Sequence, residues 1–456
     1  MKNCCNDFTR SQLLHHATAR AGQGLPSIET GMPTPAGSGM TRRSMLLGGA
    51  GMFLTVYGAD KLGLDAFESG IAEAATGPAQ AVIVTIFLAG GIDGMSVLAP
   101  VADPGYQAMR TSTKLDDTTT DPLTGYDALR WHKKAAGLKA LHDAGKATIF
   151  PAISYDHPNQ SHFTSRHFYE VGALDPAGTT GWLGRWLDIV GDVNNPIQGL
   201  SLGGQLSPML ASTKVAVSAV DSPSGYDFPS PGVWDSGVAT AMTASGFDHL
   251  GDAPGGDATV TQARQAHRNA ALLRGQLNTT LPASPTTYPP NNGLARDLQG
   301  LAQLLDAGLP IRACALQGNG GFDTHSNEVA GFGDDLESNC LAIQAFQAHL
   351  EARGLADRVM TFVWSEFGRR PEENDSLGTD HGAAGVGFLV GTKASGQIIG
   401  EFPTLDATGL DGDGNVRATS DFRSVYCSLL ENWLNTDAAM VIPGADQLAR
   451  YAVVKP

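Results

Sequence analysis

The chain has 456 residues, 42% of them apolar and only 17% charged, with a formal net charge of −16. That much apolar sequence builds a large globular core. The acidic balance, with no run among the 30 Lys and Arg residues, excludes a nucleic-acid partner, because phosphate binding needs a basic surface.

Residues 1–74 read as a leader. Thr41-Arg42-Arg43-Ser44-Met45-Leu46-Leu47 has the form of a twin-arginine export signal, followed by the apolar stretch Leu46–Tyr57 and a small-residue cleavage site at Ala72-Glu73-Ala74. The apolar stretch is short and glycine-rich against the ~20 residues a membrane span needs, so no stable span is expected in the mature chain. The mature protein is expected from about Ala75, in the periplasm, the cell envelope or the extracellular space. Cys314, Cys340 and Cys427 remain there without metal spacing, either as one disulfide plus a thiol or as three buried thiols.

The mature part starts with a fully apolar, β-branched strand from Gln80 to Leu88, ending in Ala89-Gly90-Gly91-Ile92-Asp93-Gly94. A helix over Leu138–Ala144 leads into a buried strand, Ala147–Ile153. Ser161 then stands at the start of a further helix running through Arg166 and Glu170. Trp182 and Trp186 lie at helical spacing and read as core. From 194 to 292 the pattern loosens into Gly, Ser, Pro and Asp clusters, with a helix around Thr259–Leu277, and reads as a loop-rich insertion over one side of a sheet. Amphipathic helices are expected at Leu294–Ala307 and Leu336–Arg353, and a closing helix at Asp421–Leu434. Between them Ile311–Leu316, Val359–Trp364 and Val386–Val390 read as buried parallel strands. Asp411-Gly412-Asp413-Gly414-Asn415 alternates oxygen ligands like a calcium loop but lacks the glycine at position six and a later Glu, so a hairpin turn is expected.

The chemistry-bearing residues cluster where these strands end: Asp93, Ser161 with His162, Asp323 with His325, Glu366, and Asp380 with His381. Residues just past strand carboxyl ends line the ligand crevice of an open α/β sheet. Carboxylates and imidazoles hold divalent cations, here zinc, manganese, calcium or magnesium, as one or two ions. Asp93, Asp323, His325, Glu366, Asp380 and His381 are the candidate ligands. Ser161 and His162 are the candidate catalytic pair, and Arg166 and Arg369 are candidates for binding anionic substrate oxygens. Each has a plainer reading too: Asp93 and Ser161 as helix caps, and Arg369 as the neutraliser of Glu366.

From Ala81 to about Pro443 the chain resembles the domain-of-unknown-function 1501 family, exported proteins of the alkaline-phosphatase and sulfatase superfamily. The motifs are Leu88-Ala89-Gly90-Gly91-Ile92-Asp93-Gly94, Asn159-Gln160-Ser161-His162-Phe163, Gly321-Phe322-Asp323-Thr324-His325, Ser365-Glu366-Phe367-Gly368-Arg369 and Thr379-Asp380-His381-Gly382. The resemblance implies an alkaline-phosphatase-like α/β three-layer sandwich with a mainly parallel sheet. It also implies Asp93 as a first-strand metal ligand, Ser161 in the nucleophile position, and Asp323, His325 and His381 on one metal. Glu366 stands where the superfamily usually has an Asp-His pair, and Asp323 and His325 are one residue apart where phosphatases commonly have three, which leaves the number of metals open. Two functions follow as expectations. One is a hydrolase of phosphate or sulfate esters acting on a small-molecule or glycan ester. The other is a non-catalytic cell-envelope protein that binds a glycan or a protein partner. An envelope redox protein is disfavoured, because no nucleotide fingerprint or haem motif lies in the mature region.

Overall fold

The computed structural model describes residues 54–57, 80–193, 195, 197–220 and 281–456. The twin-arginine motif, the cleavage site and the helix expected around 259–277 lie outside them.

Among the described residues, nine strands form the central sheet. In chain order they are β1 (Leu54–Tyr57), β2 (Val82–Phe87), β3 (Ala147–Ser154), β4 (Gly199–Leu202), β5 (Val217–Val220), β6 (Ala313–Gln317), β7 (Val359–Trp364), a strand at Gly385–Val390 and a two-residue strand at Ser420–Asp421. Between β7 and the strand at 385–390 the chain makes a separate hairpin of β8 (Arg369–Glu373) and β9 (Thr379–His381). The last two sheet strands are therefore β10 and β11. Their order across the sheet is β1-β5-β4-β6-β2-β7-β10-β3-β11. From β5 to β7 every neighbour is parallel. β10 runs antiparallel to both β7 and β3.

The direction of β10 corrects the parallel reading of Val386–Val390. A parallel return needs a crossover of a dozen or more residues, usually helical. Only the β8–β9 hairpin separates β7 from β10, so the chain doubles back.

Helices cover both faces, as the sandwich expectation requires. β2 alternates: Val82, Val84 and Ile86 pack into one core, Ile83 and Phe87 into the other. The first core is closed by α2 (Ala136–Asp143), α5 (Gly293–Asp306) and α6 (Phe332–Ala352) through Leu138, Leu298, Leu301, Ile343 and Phe346. These three follow a shorter helix, α1 (Gly94–Val97), and α3 (His162–Val171) and α4 (Trp182–Val190) stand between α2 and α5. The second core takes Trp182 and Trp186 of α4 and Phe422 and Tyr426 of the closing helix α7 (Phe422–Asn432). Trp182 stacks on Tyr426 with centroids 4.3 Å apart, which bears out the core reading of the tryptophans.

Within the stretch read as a loop-rich insertion, β4 and β5 extend the central sheet, and Leu54–Tyr57 pairs with the β5 edge. Cys314, Cys340 and Cys427 are free and buried. Asp411–Asn415 closes a turn in which Gly414 N donates to the Asp411 carbonyl, flanked by a bridge between Leu410 and Val416. Among the described residues no helix is long and apolar enough to cross a membrane.

Candidate metal centre

Strand direction brings distant residues to one edge. β6, β2 and β7 are parallel neighbours, so the segments leaving their carboxyl ends emerge side by side. β10 runs the other way, so the chain entering it, with Asp380 and His381, arrives at that same edge. β3 is antiparallel to β10 and thus also ends there, delivering Ser161 and His162.

Close backbone packing holds these segments together. Gly90 and Gly91 follow β2 with φ of 114° and 68°. A Cβ on Gly90 would lie 2.4 Å from Asp323 N, so only glycine fits there. Phe322 N donates to the Ala89 carbonyl at 2.9 Å, fixing the loop that carries Asp323.

Asp323 is the hub. Its Oδ1 lies 3.4 Å from Nε2 of His162, 3.1 Å from Nε2 of His325 and 3.3 Å from Nε2 of His381. The ligand atoms of His162, Asp323 and His381 all fall within 4.8 Å of one another, and His325 reaches the same oxygen. Arg369 Nη2 donates to it at 2.5 Å. Burial raises the Asp323 carboxyl, but hydrogen bonds from His162, His325 and His381 and the charge of Arg369 outweigh it and hold the group far below the usual carboxylate range.

The opposite nitrogen of each ring is anchored. His162 Nδ1 meets Glu366 Oε1 at 2.7 Å, His325 Nδ1 meets Asp380 Oδ1 at 3.1 Å, and His381 Nδ1 meets the Gln160 carbonyl at 2.8 Å. Carboxylates held ionised and a carbonyl only accept, so Nδ1 of each ring carries a proton and Nε2 is the atom turned toward Asp323, a donor to it when protonated and a lone pair when a metal takes that proton's place. Three ring nitrogens meeting at one carboxylate oxygen form a ligand set that a cation can enter in place of their protons. Metal-bound histidines show this arrangement, with the far N–H given to a carboxylate or carbonyl. Tetrahedral ligands at ~2.0–2.1 Å from zinc stand about 3.3–3.4 Å apart, close to the nitrogen-to-oxygen distances here. The donor set therefore fits a divalent cation.

Glu366, expected as a ligand, instead stands behind His162. It is fully buried and accepts from Gly90 N at 2.9 Å and Ser365 Oγ at 2.9 Å. Burial pushes its carboxyl up, and the hydrogen bond and charge of His162 outweigh that, leaving it lowered. Asp380, half exposed, likewise backs His325 and accepts from Asn374 at 3.2 Å.

Asp93 is placed apart from this group. It caps α1 through Met95 N, accepts from Ser96 Oγ at 2.6 Å, and is bound by the buried guanidinium of Arg110 through both oxygens, one contact at 3.0 Å. Burial raises its carboxyl and Arg110 outweighs that, leaving it lowered. A guanidinium thus occupies the carboxylate where a metal was expected. Arg369 is not set out for substrate either. It donates to the carbonyls of Gly91 at 2.8 Å, Thr379 at 2.9 Å and Phe322 at 3.2 Å, to that of Gly90, and to Asp323. Arg166 gives Nε to Glu170 at 2.8 Å and lies over the Phe87 ring. Ser161 is the N-cap of α3, yet its side chain makes no capping hydrogen bond.

Residues 294–429 match the family model described as a protein of unknown function, DUF1501. The resemblance read from the motifs is thereby borne out over that segment. The DUF1501 segment holds Asp323, His325, Glu366, Arg369, Asp380 and His381, whereas Asp93, Ser161 and His162 precede it. No curated protein matches the chain.

Several solved structures are similar overall. The C-terminal periplasmic domain of EcEptC from Escherichia coli, in complex with Zn, is 9% identical with a TM-score of 0.35, covering 78% of this chain and 83% of that one. The PsFucS1 sulfatase from Pseudoalteromonas sp. is 10% identical with a TM-score of 0.31, covering 87% and 77%. A protein in the alkaline phosphatase superfamily from Vibrio parahaemolyticus is 8% identical with a TM-score of 0.31, covering 86% and 78%. Likeness of this degree carries nothing about the chemistry of the site.

Sequence reasoning missed Arg110 and the Gln160 carbonyl. A single arginine after a short helix carries no motif, and a backbone acceptor leaves no trace in residue type.

Proposed function

We propose that the chain is an exported hydrolase of phosphate or sulfate esters that works with one divalent cation, held by His162, His325, His381 and Asp323. The observation that carries this reading is the convergence of three Nε2 atoms on Asp323 Oδ1. A set dominated by imidazole favours zinc over calcium or magnesium, which prefer all-oxygen sites. A cation there supplies Lewis acidity toward an ester oxygen. Glu366, Asp380 and the Gln160 carbonyl keep the ring protons on Nδ1. Ser161, immediately before His162, is the N-cap residue of α3, and the first N–H groups of a helix favour an anion. Its Oγ bonds to phosphorus or sulfur as the ester oxygen leaves, and the serine proton ends on the released alcohol. Water then cleaves the serine ester.

The test is metal content by mass spectrometry on protein from the periplasmic fraction, purified without chelator, together with turnover on an ester panel. One equivalent of metal, lost in Asp323→Ala/His325→Ala, and hydrolysis abolished by Ser161→Ala with metal kept, are expected. Arg42→Lys/Arg43→Lys is expected to hold the chain in the cytoplasm. Wild type that takes up no metal sinks the mechanism.

One observation favours a second reading, a non-catalytic envelope protein that binds a glycan or a protein. Arg369 is consumed by protein acceptors and Arg166 is paired with Glu170, so neither expected anion-binding arginine is set out for a substrate. Loaded protein without turnover across the panel, together with a captured glycan or protein, is the result this reading requires.

A further inference from the structure

We propose that Glu328 is the positioning residue of the metal centre, a neutral carboxylic acid that clamps together the two loops carrying His325 and His381. The inference rests on the reading of those histidines as ligands.

Glu328 is 2% exposed and touches three segments of chain. Its Oε2 accepts from Thr324 Oγ1 at 3.1 Å and Thr379 Oγ1 at 2.9 Å. Thr324 lies between Asp323 and His325, and Thr379 immediately precedes Asp380 and His381. Its Oε1 lies 2.8 Å from Ser96 Oγ on α1. Thr379 N donates to the Thr324 carbonyl at 3.0 Å, so backbone and side chain join the same two loops.

Proton counting gives its charge. Ser96 Oγ accepts from Arg110 Nη1 at 3.2 Å and lies 2.6 Å from Asp93 Oδ2 as well as 2.8 Å from Glu328 Oε1. One hydroxyl proton cannot serve two carboxylates. Asp93 is held ionised by Arg110, so the serine proton goes to it, and the contact to Glu328 needs a proton on Oε1. The charged and titratable groups facing Glu328 are Asp93, Arg110 and Tyr106. Arg110 is already neutralised by Asp93, and a second buried carboxylate would stand without a counter-charge. Burial and the Asp93 charge accordingly raise the Glu328 carboxyl to about 7.

Glutamine reproduces this pattern: its amide N–H donates to Ser96 and its oxygen accepts from both threonines. Zinc affinity by chelator competition at pH 6.5, with the infrared band of a protonated carboxyl in the metal-free protein, tests the assignment. Glu328→Gln is expected to keep affinity and lose the band, and Glu328→Ala to lose about 10–100-fold in affinity. Wild-type affinity in Glu328→Ala, equal losses in both variants, or no band in wild type overturns it. Should Glu328→Ala not fold, Thr324→Val/Thr379→Val removes the two donors and leaves Glu328 in place; unchanged affinity then refutes the clamp. If wild type takes up no zinc, the metal reading falls separately. Amide exchange at 323–325 and 379–381, faster in Glu328→Ala but not in Glu328→Gln, then upholds the clamp, and equal exchange in all three proteins overturns it.

Discussion

Replacing Arg369 with methionine separates a structural arginine from a substrate-binding one. The residue is 1% exposed, and its side chain ties four carbonyls, those of Gly90, Gly91, Phe322 and Thr379, to the Asp323 carboxylate. Methionine is close in length and removes every donor. Breaking a buried ion pair from one side costs about 3–5 kcal/mol, because the remaining charge loses its partner. Asp323 keeps a fifth of its side-chain surface exposed, so water and the histidines recover part of that, and ~3 kcal/mol is the expected loss. That is about a hundredfold in the folding equilibrium, against a total stability on the order of 5–15 kcal/mol. Urea unfolding of the metal-free protein reads it as a lower midpoint at unchanged slope. Arg369→Lys is expected to recover only part, since one ammonium cannot span acceptors arranged around a planar fork. A methionine variant with wild-type unfolding but weakened binding of a phosphate or sulfate ester would refute the assignment and return Arg369 to the substrate.

Asp380→Ala removes the acceptor behind His325 from a half-exposed position. Metal affinity is expected to fall about 10–100-fold, while stability moves by no more than ~0.5 kcal/mol; equal affinity in a chelator competition would remove Asp380 from the centre. Glu366→Gln carries a pH signature. The Glu366 carboxyl is lowered in the folded chain, so its ionised form stabilises the fold above the ordinary glutamate value of about 4.3, and that contribution is lost as pH falls through the depressed value. The stability gap between wild type and Glu366→Gln is therefore expected at pH 7 and should close in acid. A gap that widens in acid contradicts the sign.

The site was partly legible because its side chains are ones a chain seldom buries or aligns without a reason. Asp323-Thr324-His325, Glu366 and Asp380-His381 each stand beside an apolar run, and strands β2, β6 and β7 were readable from those runs alone. The roles within the group were not. A carboxylate that binds a cation and one that holds the ring behind it are the same residue type in the same loop, so Glu366 and Asp380 read as ligands until the orientation of the imidazoles was known.

Composition and local pattern determined the α/β class, the strand-end location of the polar residues and the core placement of Trp182 and Trp186, because burial of apolar side chains leaves a periodic mark on the sequence. Tertiary structure alone decided the direction of β10, the convergence of His162, His325 and His381 on one oxygen of Asp323, and the capture of Asp93 by Arg110. Those depend on which distant segments meet and how each ring is turned, and pairings across 17 to 279 positions of chain are written in no local pattern.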